Sequence, residues 1–235
     1  MTEASANALR RPPVLAAIER STLNDQAYES LKRALLTGRI ESGMTLTFRG
    51  LAHDLGTSMM PVREAVARLV AERALEVLPQ KGIRVPVLSA EELDDLWNLR
   101  VLLEGEAVAR AATRATDEDL TKIKNLRDKV RDGAESGSPP AFMEANSDFQ
   151  LAIYAAAQTS VFITLVEMLR LQASPHRNDA IRAMIIERPP FFYETLRHHD
   201  DLVDAMAAKN AEKARKIRQT DILGFRAFFD EVRAR

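Results

Sequence analysis

Along most of this chain apolar residues return every third or fourth position, the period of a helix buried along one face. Between residues 22 and 37 the shared face carries Ala27, Leu31, Ala34 and Leu35. Gly38 is a natural stop, because glycine alone adopts the left-handed conformation cheaply. A turn follows at Ile40–Gly43, then a short extended piece at Met44–Leu46. Thr47 is a suitable N-cap for a second helix to about Leu55, with Leu51, Ala52 and Leu55 inward, and Gly56 ends it. A third helix is capped by Ser58 or Thr57, with Pro61 in its first turn, where a missing N–H costs little. Its buried stripe is Val62, Ala65, Val66 and Leu69, which leaves Met59, Met60, Arg63 and Ala67 on the other side. Leu75–Leu78 and Ile83–Val87 are rich in β-formers and flank Pro79-Gln80-Lys81-Gly82, a hairpin with a polar tip.

From Ser89 onward the pattern is helical throughout. Ser89 followed by Glu92 is a capping box for a helix to about Arg114, striped by Leu93, Leu96, Leu99, Leu103, Ala107 and Val108. Thr116 or Asp117 caps the next helix, which runs to about Gly133, and residues 133–140 read as a loop. Further helices are predicted over 141–157, 160–171, 178–187, 191–209 and 211–232, with a polar break at Ser174-Pro175-His176. Short connections between six or seven helices predict an antiparallel bundle. The fold class is therefore mainly α: an N-terminal winged helix-turn-helix followed by an all-α antiparallel helical bundle. Residues 1–20 read as a mobile arm, 21–88 as the winged domain and 89–235 as the bundle.

Composition narrows the classes of function. The 235 residues are 46% apolar and 29% charged, which is globular. No apolar run approaches the roughly 20 residues that cross a bilayer, and no secretion signal opens the chain, so a cytoplasmic protein without a membrane partner is expected. The absence of cysteine excludes disulfides, thiol catalysis and cysteine-ligated zinc. Net charge is −1, but it is uneven. Residues 1–88 carry 12 Lys and Arg against 9 Asp and Glu, whereas residues 89–235 carry 21 against 25. A basic winged domain on an acidic body suits a phosphate-contacting module joined to a sensing or assembly domain. No glycine-rich phosphate loop, Ser-His-Asp order or HExxH is present. In the run His198-His199-Asp200-Asp201, neighbours on a helix point about 100° apart, so one histidine is expected inside and the other at the surface.

The stretch Gly56-Thr57-Ser58-Met59-Met60-Pro61-Val62-Arg63-Glu64-Ala65-Val66, with its flanks, resembles the turn-helix of the GntR family of bacterial winged-helix regulators. The later segment Leu99-Arg100-Val101-Leu102-Leu103-Glu104, followed by an alanine-rich turn, resembles the opening of the helical FCD domain found in the FadR subfamily. The resemblance implies DNA contacts from Arg49, Ser58, Met59, Met60 and Arg63, with Lys81 and Gly82 at a wing tip that reaches the minor groove. Met59 stands where the family usually has an arginine. An arginine can pair with guanine O6 and N7, worth about 1–3 kcal/mol of discrimination, and a methionine cannot. Either Arg63 reads alone, or Met59 packs on a thymine methyl, or both methionines merely cover the start of the helix.

The same resemblance implies an effector cavity at Arg100, Asn146, Gln150, His199 and Asp221. The guanidinium of Arg100 suits a carboxylate, or else it pairs internally with Glu104. The family often holds a divalent metal in this place through histidines. Here an amide and a carboxylate replace two of them, leaving at most a weak site at Asn146, His199 and Asp221 and no cofactor firmly implied. The function expected is a ligand-responsive regulator, a repressor, that binds a palindromic operator in double-stranded DNA as a homodimer and is modulated by a small organic acid. Two rivals remain: a constitutive repressor whose bundle only dimerises, and a metal-dependent enzyme with an appended helix-turn-helix.

Overall fold

The computed structural model describes residues 23–79 and 82–235. The arm expected at residues 1–20 and Lys81 of the hairpin tip lie outside the described residues. The first part of the chain is α1 (Leu23–Leu36), β1 (Thr45–Leu46), α2 (Phe48–Asp54), α3 (Met59–Ala71), β2 (Glu76–Leu78) and β3 (Gly82–Arg84). Leu35, Val62, Ala65, Val66, Leu69 and Ile83 are almost fully buried and form one core under α1 and α3. The sheet order is β1-β3-β2, all antiparallel, with Ile83 opposite both Leu46 and Val77. Gly82 has φ +94°, and a side chain there would strike the Leu46 carbonyl, so glycine is required where the two strands close up. The last strand is shorter than the run of β-formers: beyond Arg84 the Val85 N–H donates to Met44 O and its carbonyl accepts from Gly43 N–H, both at 3.1 Å, before Pro86, which has no N–H to offer.

The second part is helical: α4 (Ala90–Arg114), α5 (Asp117–Glu135), α6 (Pro139–Ala155), α7 (Ser160–Ala173), a 3-10 turn at Ser174–His176, α8 (Asn178–Glu187), α9 (Pro190–Ala207) and α10 (Ala211–Ala234). Both expected helix starts are capping boxes: Ser89 and Glu92 bond each other's backbone N–H at 2.8 and 3.2 Å, and Thr116 does the same with Asp119. The loop expected over 133–140 is a correction. Helix α5 continues to Glu135 and α6 begins at Pro139, so only three residues connect them. Gly133 is buried inside α5 because a Cβ would lie 3.0 Å from the Phe142 backbone, and Pro139 and Pro140 occupy the first turn of α6, where no N–H is missed.

The stripe of α4 also differs from its leucine pattern. Leu93, Leu96, Ala107 and Val108 are buried, but Leu99 is 44% exposed and Leu103 only partly covered. The inward line runs instead through Trp97, Arg100 and Glu104, each at most 2% exposed. Successive steps of three and four residues keep these on one face, so α4 carries charge into the centre of the bundle.

The two cores are joined along α6, α7 and the 3-10 turn. Leu171 of α7 is buried within the first core. Lys32 of α1 pairs with Glu167 at 2.6 Å, and Arg33 pairs with Glu144 and Asp148 of α6, each at 2.9 Å. The Ser42 N–H donates to Pro175 O at 3.2 Å, and Asn178 Nδ2 donates to Gly38 O at 3.1 Å. Gly38, at φ +73°, leaves no space for a side chain against Asn178. No helix among the described residues is long and apolar enough to cross a membrane.

Candidate functional site

Two places concentrate chemistry. The first is the outer face of α2 and α3. Thr47 Oγ1 accepts from Gly50 N at 3.0 Å, which sets the entry to α2. Ser58, rather than Thr57, is the N-cap of α3, in extended conformation, although its hydroxyl makes no capping bond and stays exposed. Met59 and Met60 are 44% and 66% exposed, unusual for large apolar side chains with a core nearby. Arg63 lies one turn further on, with its guanidinium 4.7 Å from the centre of the Phe48 ring, a contact that orients it outward. Arg49 is exposed on α2. The N-terminus of α3 on this face has no side-chain cap.

The second is a cavity in the bundle, lined by Trp97 and Arg100 from α4, Phe142, Asn146 and Gln150 from α6, and Arg177 at the start of α8. Ile181 and Met184 of α8, Thr195 and His199 of α9, and Arg218, Asp221, Ile222 and Phe225 of α10 complete it. Its free volume is about 30 Å3, room for one or two waters. Beneath it lies a buried ion network centred on Glu104. Arg100 Nε donates to Glu104 Oε1 at 2.6 Å, and Arg218 and the Tyr154 hydroxyl both donate to Oε2. Burial pushes the Glu104 carboxyl up, but the charges of Arg100, Arg218 and Arg170 outweigh it and hold it well below the usual range. Arg218 also donates to Asp221 Oδ2 at 2.7 Å, and Arg170 donates to Gln150 Oε1. His199 is 3% exposed, and burial pushes its pKa down to about 4, so it is neutral near pH 7.

Residues 23–85 match the model of bacterial regulatory proteins of the gntR family, and residues 95–222 match the FCD domain. The chain belongs to the GntR family. McbR, an HTH-type transcriptional regulator of Escherichia coli K12, is 31% identical over 194 residues, 83% of this chain and 86% of the relative. A probable D-xylose utilization operon transcriptional repressor of Paenarthrobacter nicotinovorans is 26% identical over 197 residues, 84% of each chain. The solved structure of E. coli McbR/YncC superposes with a TM-score of 0.80 at 29% identity, covering 89% of this chain and 98% of that one. A GntR regulator from Rhodococcus sp. RHA1, at 19% identity and a TM-score of 0.66, shares the fold. This GntR chain is thus a member of a family of DNA-binding transcriptional regulators and not of an enzyme family.

Within this GntR chain, Arg49, Ser58, Met59, Met60 and Arg63 share the exposed face, and Gly82 closes the sheet beside it. Arg100, Asn146, Gln150, His199 and Asp221, from four different helices, line one cavity. The residues that a metal would need do not fit one. Gln150 Oε1 is taken by Arg170, Asn146 Oδ1 by Gln150 Nε2 at 3.2 Å, and Asp221 Oδ2 by Arg218. The His199 nitrogens stay unpartnered, Asp221 Oδ1 is paired with His198 Nδ1 at 3.4 Å, and no group of three His, Cys, Asp or Glu among the described residues could hold an ion. The weak metal site expected at Asn146, His199 and Asp221 does not fit this arrangement: the Gln150 amide holds the Asn146 oxygen and the Arg218 guanidinium holds Asp221 Oδ2. His198 is a second correction. Its Nδ1 is 3.4 Å from Asp221 Oδ1 and its side chain is 14% exposed, because Asp221 lies on the line where α9 meets α10 and both histidines flank it.

Arg170, Arg177, Arg218 and Thr195 are absent from the sequence expectations. Arg218 was detectable, three residues before Asp221 and so on the same face of α10. Arg177 follows a break in periodicity and has no local partner that would mark it.

Proposed function

We propose that this GntR regulator is a ligand-responsive repressor. A homodimer places α3 of each protomer in successive major grooves of a palindromic operator, since a two-fold protein reads a two-fold site. Arg49, Ser58 and Arg63 contact DNA, Met59 and Met60 offer an apolar surface to thymine methyl groups, and Lys81 and Gly82 form the wing tip. A small carboxylate binds at Arg100, Asn146, Gln150, His199 and Asp221 and lowers operator affinity.

The observation that carries this reading is the shared use of three elements. Helix α6 lines the cavity with Asn146 and Gln150 and holds Arg33 of α1 with Glu144 and Asp148. Helix α7 supplies Arg170 to Gln150 and Glu167 to Lys32. The 3-10 turn and the start of α8 place Arg177 in the cavity between Pro175 and Asn178, which bond the N-terminal part. An occupant that fits one arrangement of these elements better than another shifts the DNA-reading face with them. The test is to select an operator from random DNA with the full chain, then measure its affinity with and without a panel of small carboxylates. Release by one acid is expected; unchanged affinity across the panel would sink the induction model.

A further inference from the structure

We propose that the cavity takes a small dianion directly on its arginines, without a metal, the acid being anchored by Arg177 and Arg100. This rests on the effector reading above and specifies its chemistry. Eight titratable side chains of the bundle are nine-tenths or more buried: Arg100, Arg170, Arg177, Arg218, Glu104, Asp221, His199 and Tyr154. Four are guanidinium groups, which stay charged in proteins, two are carboxylates, and His199 and Tyr154 are neutral near pH 7. Two positive charges are therefore left over in a low-dielectric interior, where an uncompensated charge is costly. A ligand with two negative charges makes the site neutral; a divalent cation would worsen the excess.

The uncommitted atoms say where the charges go. Glu104 is saturated by Arg100, Arg218 and Tyr154, so its ions are structural. Arg177 has only the Ser174 hydroxyl, at 2.9 Å, and the Phe225 ring, with no carboxylate in ion-pair range among the described residues. Arg100 Nη1, Arg177 Nε and Trp97 Nε1 are buried donors without an acceptor, and all three residues line the cavity. Three orphaned donors in one cavity are an oxyanion seat. Thr195 Oγ1 and both nitrogens of His199, in the same lining, are also unpartnered, whereas Asp221 Oδ1 already has His198 Nδ1 at 3.4 Å. The Thr195 hydroxyl and the neutral His199 ring can each donate or accept, so the ligand presents a hydroxyl there. The chemistry is an oxyanion of charge two with an adjacent hydroxyl, met by a hydroxydicarboxylate or, with less polar reach, by phosphate.

The free volume admits only a water or two, so the occupant must move the wall. Arg177 is the hinge end of that wall, one residue from Asn178 and two from Pro175, both bonded to the α1–β1 connection. The structure thus ties anion capture to the seam.

The experiment is calorimetric titration of the chelator-treated full chain with L-malate, succinate, inorganic phosphate and L-lactate, repeated with zinc and with nickel. Malate is expected to bind about tenfold tighter than succinate and tighter still than the monoanion lactate, with no dependence on metal. Phosphate binding better than malate would assign the seat to a phosphorylated ligand of the same charge. Arg177→Met is expected to weaken malate about tenfold while raising the melting temperature of the empty protein, because an unpaired buried charge is gone. Trp97→Phe, which keeps an aromatic ring but removes the N–H and part of the indole, gives a smaller loss of binding, and a urea titration of the empty variant separates that loss from any loss of stability. Binding that appears only with metal, lactate equal to malate, or no dianion bound at millimolar concentration would overturn the proposal. Malate bound with operator affinity unchanged would leave it standing and remove the repressor model instead.

Discussion

Two sets of arginines divide the work of this molecule. Arg49 and Arg63 stand exposed on α2 and α3, the helices proposed to face DNA, with a single ring contact, to Phe48, to guide Arg63. Arg100, Arg170, Arg177 and Arg218 lie inside the bundle at 8% exposure or less. The outer set costs almost nothing to keep and can be exchanged without disturbing the core, since surface charge is screened and solvated. The inner set must be answered charge by charge, or the fold is penalised. Affinity for a polyanion can therefore evolve on the outside independently of stability, while any change of ligand inside also changes how well the protein is folded.

The largest test of that contrast is Glu104→Gln. The substitution keeps shape and removes the carboxylate shared by Arg100, Arg218 and the Tyr154 hydroxyl. Removing one partner of a buried pair costs about 3–5 kcal/mol, and here three guanidinium groups lie around it. Urea denaturation should show a loss of that size. A change below about 1 kcal/mol would mean that the interior charges are answered elsewhere, and the contrast would collapse.

Next comes acid. The unfolded chain protonates His199 below about 6.5, whereas burial holds the folded residue neutral down to about 4. Between those values the unfolded state binds the extra proton, so stability falls as pH falls. The gap corresponds to about 3 kcal/mol, all of it lost by the lower limit. Glu104 and Asp221, both held below their ordinary values of 4.5 and 3.8, add a second loss as pH drops through their lowered folded values. Stability measured from pH 7 to 2 should decline, then fall again below about 4.5. His199→Gln should remove part of the first decline, the rest coming from His176, which burial also pushes down to about 4; an unchanged slope would place the acid sensitivity in another group.

What could be read in advance follows the same division. The α3 stripe Val62, Ala65, Val66 and Leu69 is buried as its spacing implies, and the helix limits 90–114 and 178–187 match, because caps and periodicity are local signals. The five cavity residues named by resemblance converge as a set, from four helices. Local reasoning failed where the partner is remote in sequence. Arg170 meets Gln150 from 20 residues away and Arg218 meets Glu104 from 114, and neither chain segment shows this. Leucine content misled at Leu99, since the inward line of α4 is charged at Arg100 and Glu104.

The smallest effect on stability, and the one that separates the two sets most clearly, is Arg63→Ala. Its guanidinium is exposed, has no ion-pair partner among the described residues, and touches only the Phe48 ring. Losing that contact costs about 0.5–1 kcal/mol at most, and an exposed helix position favours alanine by a few tenths. The urea midpoint should barely move. Operator affinity is another matter, because a bidentate arginine–guanine contact is worth about 1–3 kcal/mol and here no neighbouring arginine at position 59 can replace it. Loss of binding should be about tenfold to a hundredfold on the selected operator and smaller on DNA altered at the contacted base pair. If affinity drops equally on every sequence, Arg63 holds phosphate rather than base. The reading then passes to Met59 and Met60, whose exposed side chains have no other partner on that face.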